Sequence, residues 1–234
     1  MKPSLRRSRR WFLALSGSLT GVGLAGCTGD DDDEAGYPDI ELISSEVREY
    51  SYRRTEENWI AWEVANVGDA HHGRLNIDHT MYDENGTVID AQTALIDLVP
   101  AGETYVDYRL VHGSRREEAA TVESTIRSEN GQVSATQLTE IDIVESKLHK
   151  DFRGLTEITG QLKSGDVNHP QVYLVGLIYT SDGTLRGSVG EILRDIEPNT
   201  TRAFRIALAS HWTPQAEEDH LPTEHQLLAF DNIP

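Results

Sequence analysis

Two short loops of like composition carry the side chains best suited to chemistry. Gly68-Asp69-Ala70-His71-His72 and Gly165-Asp166-Val167-Asn168-His169 each follow a stretch of alternating apolar residues. A carboxylate beside two imidazoles suits zinc or copper, so Asp69, His71 and His72 form the one candidate metal-ligand set, with His79 near in sequence. The competing reading is an Asp-rich turn with solvated histidines, because neighbouring side chains on a loop tend to diverge. His220-Leu221-Pro222-Thr223-Glu224-His225 is a weaker second grouping. Past the first 26 residues there is no Gly-x-Ser-x-Gly elbow, His-Glu-x-x-His pair or phosphate-cradling glycine loop. A blue-copper centre needs a thiolate with two imidazoles and usually a Met. Cys27 is the single cysteine and Met81 the one methionine after Met1, which leaves that centre without ligands. The expectation is a non-enzyme with no cofactor and no resident metal.

Four further sites are surface chemistry or contact. Asn85-Gly86-Thr87 and Asn199-Thr200-Thr201 match the N-glycosylation sequon, and each lies at or beside a turn signal. Trp62 is in phase with Ile60 and Val64 and reads as core. Trp59 is out of phase with that face, and Trp212 follows a strand, so both are expected either in a contact patch or packed against neighbouring structure.

The elements that carry these residues are preceded by an address. Residues 1–26 hold Lys2, Arg6, Arg7, Arg9 and Arg10 and no acid, and then a weakly apolar stretch from Trp11 to Ala25. That stretch is shorter than the ~20 apolar residues of a spanning helix and fits a signal peptide. Ser8-Arg9-Arg10-Trp11-Phe12-Leu13 resembles a twin-arginine export signal, with Arg9, Arg10, Phe12 and Leu13 on the motif and Ala14 where Lys is common. Leu24-Ala25-Gly26-Cys27 resembles a lipobox, which implies cleavage before Cys27 and lipid on its sulfur. Each buried CH₂ of an acyl chain contributes about 0.8 kcal/mol, so stable anchoring takes two chains. Asp30–Asp33 and Glu34 then form an acidic run that repels itself, which makes 27–36 a disordered spacer. The implied location is the outer face of the cell membrane.

Charge sharpens once the signal is set apart. The whole chain of 234 residues carries 39 acidic and 21 basic side chains, net −18. Residues 1–26 account for five of the positive charges and none of the negative, so the remainder stands at −23. Such a surface excludes nucleic acid as a partner, because phosphate neutralisation needs clustered Lys and Arg. It also repels itself in dilute buffer, whereas in about 1 M salt the Debye length is roughly 3 Å and the repulsion is screened. After Lys2 only Lys147, Lys150 and Lys163 occur. An acid-rich, Lys-poor body behind these two export motifs resembles secreted lipoproteins of halophilic archaea.

From Tyr37 onward the chain repeats itself at a spacing of about 98–101 residues. Ile40-Glu41-Leu42-Ile43 recurs as Ile141-Asp142-Ile143-Val144, and Ile60-Ala61-Trp62-Glu63-Val64 as Ile158-Thr159-Gly160-Gln161-Leu162. Tyr82 to Thr87 recurs as Tyr179 to Thr184, and Leu98-Val99-Pro100 as Ile196-Glu197-Pro198. Val106, Tyr108 and Leu110 align with Phe204, Ile206 and Leu208. A period this long marks two homologous domains rather than a solenoid. Alternation with period two predicts strands burying one face, and Asn85-Gly86 and Asp182-Gly183 predict hairpins with both turn residues at positive φ. Arg115–Thr121 predicts one helical turn. Six or seven short strands per hundred residues point to an all-β chain of two tandem immunoglobulin-like β-sandwich domains, 37–129 and 138–234. The boundary is set in the polar stretch Ser128 to Ser134.

The glycine-containing strand, the strand ending in Tyr-Asp, the Gly turn, and Leu-Val-Pro followed by an alternating strand together resemble the FxLYD domain. His79-Thr80-Met81-Tyr82-Asp83 carries the Tyr-Asp but lacks the Phe. Gly176-Leu177-Ile178-Tyr179-Thr180 lacks both Phe and Asp, and Gly160 fits the glycine that Trp62 replaces. The resemblance spans nearly all of Tyr37–Pro234, twice. It implies an immunoglobulin-like fold and no catalytic residues. The expected function is a non-catalytic, lipid-anchored interaction or envelope module with a protein or envelope partner. The alternative is a solute- or metal-binding accessory lipoprotein of an uptake or redox system.

Overall fold

A computed structural model describes residues 36–52, 55–127, 131, 133–150, 156–208 and 222–234. Arg9, Arg10, Phe12, Leu13, Cys27, the acidic run and Trp212 lie outside the described residues. The chain divides into Met1–Glu34 and Ala35–Pro234, and every described residue belongs to the second unit.

That unit is all-β, as the alternation predicts. Its strands are β1 (Ile40–Tyr52), β2 (Thr55–Asn66), β3 (Leu75–Tyr82), β4 (Val88–Ile96), β5 (Thr104–Leu110), β6 (Thr121–Arg127), β7 (Asp142–Lys150), β8 (Thr156–Lys163), β9 (His169–Thr180), β10 (Leu185–Ile196), β11 (Thr201–Leu208) and β12 (Pro222–Phe230). A 3₁₀ turn at Arg116–Glu118 falls within the expected helical turn. The strands form one six-stranded sheet, β1-β2-β5-β10-β9-β12, and two three-stranded sheets, β4-β3-β6 and β11-β8-β7. Adding six to each strand number turns β1-β2-β5 into β7-β8-β11, and β4-β3-β6 into β10-β9-β12. The repeat in the sequence is therefore also a repeat in topology.

The halves meet edge to edge. β5 of the first lies parallel to β10 of the second through the pair Tyr105 and Leu185, so two three-stranded sheets continue as one of six. β9 is buried on both of its faces. Val172, Leu174 and Ile178 pack with Ile158, Leu162, Phe204 and Ile206, whereas Tyr173, Val175 and Leu177 join the cluster built around Ile60, Trp62, Val64, Leu75 and Ile77. Alternate residues of a strand point to opposite faces, so the two three-stranded sheets lie against opposite faces of the larger one. Burying each of these β9 side chains contributes about 2 kcal/mol relative to leaving it exposed. The equivalent strand β3 has one apolar face, Leu75, Ile77 and Met81, and one partly exposed polar face that includes Asn76, Asp78 and Thr80.

Three details differ from the alternation and turn rules. First, the hairpin turns need a single left-handed residue each. In 83–87 the Gly86 N–H donates to the Asp83 carbonyl and the Asp83 N–H to the Thr87 carbonyl; Gly183, Thr180 and Thr184 repeat the pattern. Gly86 (φ 77°) and Gly183 (φ 82°) are left-handed, but Asn85 and Asp182 are not. The extra residue of this bulged loop absorbs the strand twist that a two-residue loop would have to take up. Second, Tyr105 of β5 and Val111 just after it enter the core, not Val106, Tyr108 and Leu110. By pairing with β2 and β8, Tyr105 stands opposite Val64 and Arg202 opposite Leu162. The turn from Pro100 to β5 is one residue longer than its counterpart, and a one-residue slip exchanges the faces of a strand. Third, the out-of-phase side of β2 is covered as well: Trp59 is 4% exposed, the packed one of its two expected placements, while Trp62 is core as expected. Among other repeated features, Ile43 and Val144 are bulged residues at equivalent places in β1 and β7, and both are exposed.

Candidate functional site

The loop after β2 is shaped by its glycine. A Cβ on Gly68 would lie 2.2 Å from the Tyr37 carbonyl oxygen, so the chain entering β1 crosses directly over it. Asn66 then knits the crossing together. Its Nδ2 donates to the Ala70 and Val99 carbonyls, and its Oδ1 accepts from the Asp39 and Gly68 N–H groups. The three candidate ligands are each turned to a different task. Asp69 Oδ1 accepts from the Tyr37 N–H at 2.8 Å. His71 Nδ1 accepts from the Ala101 N–H at 3.1 Å. His72 is buried, its Nδ1 lies 2.8 Å from the Gly73 carbonyl, and its ring fills the space where Gly131 has no side chain. Burial lowers the pKa of His72 against the opposing hydrogen bond to Gly73.

In the second half, His169 takes the place of His72. It is buried, with Nε2 3.4 Å from Glu140 Oε1, while Asp166 and Asn168 are exposed. His225 meets Ser146 at 2.9 Å on the neighbouring sheet. Among the described residues no three His, Cys, Asp or Glu side chains gather as a metal would require. Asp69, His71 and His72 are adjacent in sequence, but the fold turns them to different partners, the Tyr37 N–H, the Ala101 N–H and the Gly73 carbonyl.

His79 lies inside the first half rather than beside that loop. Its ring packs on Trp62 with centroids 5.3 Å apart, and Trp62 lies at the same distance from Tyr105. Nδ1 meets Ser124 Oγ at 2.7 Å, and Ser124 meets Ser45 across the two sheets. Burial, followed by the nearby Arg109 guanidinium, lowers the pKa of His79 to about 4. The unfolded imidazole still titrates near its ordinary value of about 6.5. Stability is thus whole above that value and declines as the pH falls toward 4, because the unfolded chain gains the proton first. The decline attributable to His79 is about 3 kcal/mol over that interval. Chemical denaturation at pH 7 and pH 4.5 should show it as a difference between the wild type and His79→Gln. Equal pH slopes for the two proteins would refute the assignment.

A polar cluster that sequence reasoning missed joins the two halves of the repeat. Asp97, buried just past β4, accepts from the Tyr173 hydroxyl at 2.9 Å and from the Gly190 N–H at 2.8 Å, both in the second half. Arg74 closes the group, donating to Asp97 at 2.9 Å and to the Tyr173 oxygen at 3.0 Å. Burial and the Asp97 charge push the Tyr173 phenol up to about 12. Gly190 is required beside it, because a Cβ there would come within 2.2 Å of the Tyr173 ring. The Leu98 N–H donates to Ser188 Oγ, and the Tyr179 hydroxyl to Glu103 at 3.3 Å. Arg186, the bulged residue of β10, stacks 4.6 Å above the Tyr108 ring. This cluster is a fastening between the halves.

Both sequon asparagines are exposed. Asn85 sits at the tip of the β3–β4 hairpin, and Asn199 adopts φ 55° before β11. No family model matches the chain, and no curated protein is similar to it.

Proposed function

We propose that the protein is a non-catalytic, lipid-anchored module on the outer face of the cell membrane, made of two tandem immunoglobulin-like units that present their surfaces to a protein or envelope partner. The observation that carries this reading is Cys27, the single cysteine, placed directly after the apolar stretch behind a twin-arginine motif. The composition of the acidic run suits a spacer after the anchor, since like charges repel. The repeated sheet order supports the tandem reading, and the FxLYD resemblance belongs with it. In the Gly68 loop Asp69 and His71 are each bonded to a different backbone N–H, which weighs for an interaction module over a metal-binding accessory protein. A body at −23 fits a setting of high salt.

Cell fractionation tests the anchor. The wild type should sediment with membranes and leave them only with detergent. Cys27→Ser should be exported and recovered from the medium. Retention of that variant in the membrane fraction would remove the lipid from the account.

A further inference from the structure

We infer that Asn85, and not Asn199, is an acceptor for an N-linked glycan, added after the chain has folded. The inference rests on the export reading above, since a twin-arginine signal delivers a folded substrate. A folded acceptor must offer its amide and the hydroxyl two residues on together, so the local backbone has to part from the body. The two sequons differ in what that parting undoes.

Asn85 projects from a five-residue loop whose backbone bonds all run within 83–87. Asp83 Oδ1 accepts from the N–H groups of Asn85 and Thr87, and Arg115 holds the other oxygen of Asp83. The Asn85 side-chain amide itself makes no hydrogen bond among the described residues. Exposed tips with only local bonds open at the low end of a protein's free-energy range. Asn199 is tied to a distant strand end. Its N–H donates to the Gly165 carbonyl at 2.7 Å, and the next residue, Thr200, exchanges backbone and hydroxyl bonds with Ser164. Thr201, the hydroxyl of that sequon, is already paired with Lys163 in the β11–β8 ladder. Freeing Asn199 therefore unzips the start of β11.

The donor class is a sugar linked through phosphate to a membrane lipid. Asn85 Nδ2 bonds to the anomeric carbon, the bond from that carbon to the phosphate oxygen breaks, the lipid phosphate leaves with the electron pair, and the amide gives one proton to a base on the transferase. The sugar would stand over Val88, which is 53% exposed beside the turn.

Peptide and intact-protein mass spectrometry on protein taken from its own cells decides the matter. The expected result is a glycan on the peptide bearing Asn85 and an unmodified Asn199. Asn85→Gln and Thr87→Ala should each remove the added mass, whereas Asn199→Gln should not. A bare Asn85 in molecules that begin at a lipid-bearing Cys27 would overturn this inference alone. A bare Asn85 in molecules that retain residues 1–26 would overturn it together with the export reading. Occupancy at Asn199 equal to that at Asn85 would also overturn it.

Discussion

Replacing Asp97 with alanine is expected to lower stability by about 3 kcal/mol and to loosen the joint between the two halves. Asp97 is buried and accepts from three groups, two of which belong to the other half of the sequence. Arg74 is 39% exposed in its side chain and can regain water, so its loss counts for little. The Gly190 N–H and the Tyr173 hydroxyl cannot do so without opening the cluster. A buried donor left without an acceptor costs about 1–3 kcal/mol, and two of them set the expected figure. Asp97→Asn should recover less than half of it, because the amide presents donors to Arg74. Urea unfolding measures the loss, and hydrogen exchange should locate it at Gly190 and along Tyr173–Leu177. A change below about 1 kcal/mol would mean that the joint is held by apolar packing alone.

Gly160→Ala should cost a similar amount, about 3 kcal/mol, for a different reason. A Cβ at this position would lie 2.2 Å from the Glu145 carbonyl oxygen and 2.6 Å from Phe204 Cζ. A ring can tilt, but the carbonyl belongs to β7, which pairs with β8 through the neighbouring residue Ser146. Overpacking a core usually costs about 1–3 kcal/mol, and pressure against backbone places this case at the upper end. The first half solves the same position in reverse. There Trp62 occupies the place of Gly160, and the residue across from it is Asp107 rather than Phe204. One large side chain per strand pair fills the layer in either arrangement. Thermal unfolding of Gly160→Ala is the check, and a variant as stable as the wild type would show that β7 can shift freely.

This exchange explains why the repeat was legible at the level of strands and less so residue by residue. Its spacing, the glycine turns and the apolar phase of β2, β3 and β8 are local properties, and local properties survive in sequence. The face of β5 was not legible, because the added residue between Pro100 and Tyr105 shifts the phase without altering the alternation. The joint was hidden for another reason. Tyr105 and Leu185 pair across a long stretch of chain, and Asp97 is one acid among 39, with nothing in its neighbours to mark it. β9 did carry a signal, the unbroken run Val172 to Ile178, which a strand shows when both faces are covered. The candidate loops at Asp69 and Asp166 were correctly located between strands. Their side chains do not gather in threes among the described residues, because a spacing rule counts residues, whereas ligation needs side chains that converge.

The anchor remains the centre of the account, and the N-terminus of the mature protein tests it most directly. Protein extracted from membranes should be digested and its N-terminal peptide weighed. The account predicts a peptide that begins at Cys27 and carries two lipid chains on that residue. An N-terminus elsewhere, or a Cys27 with a free thiol, would contradict it.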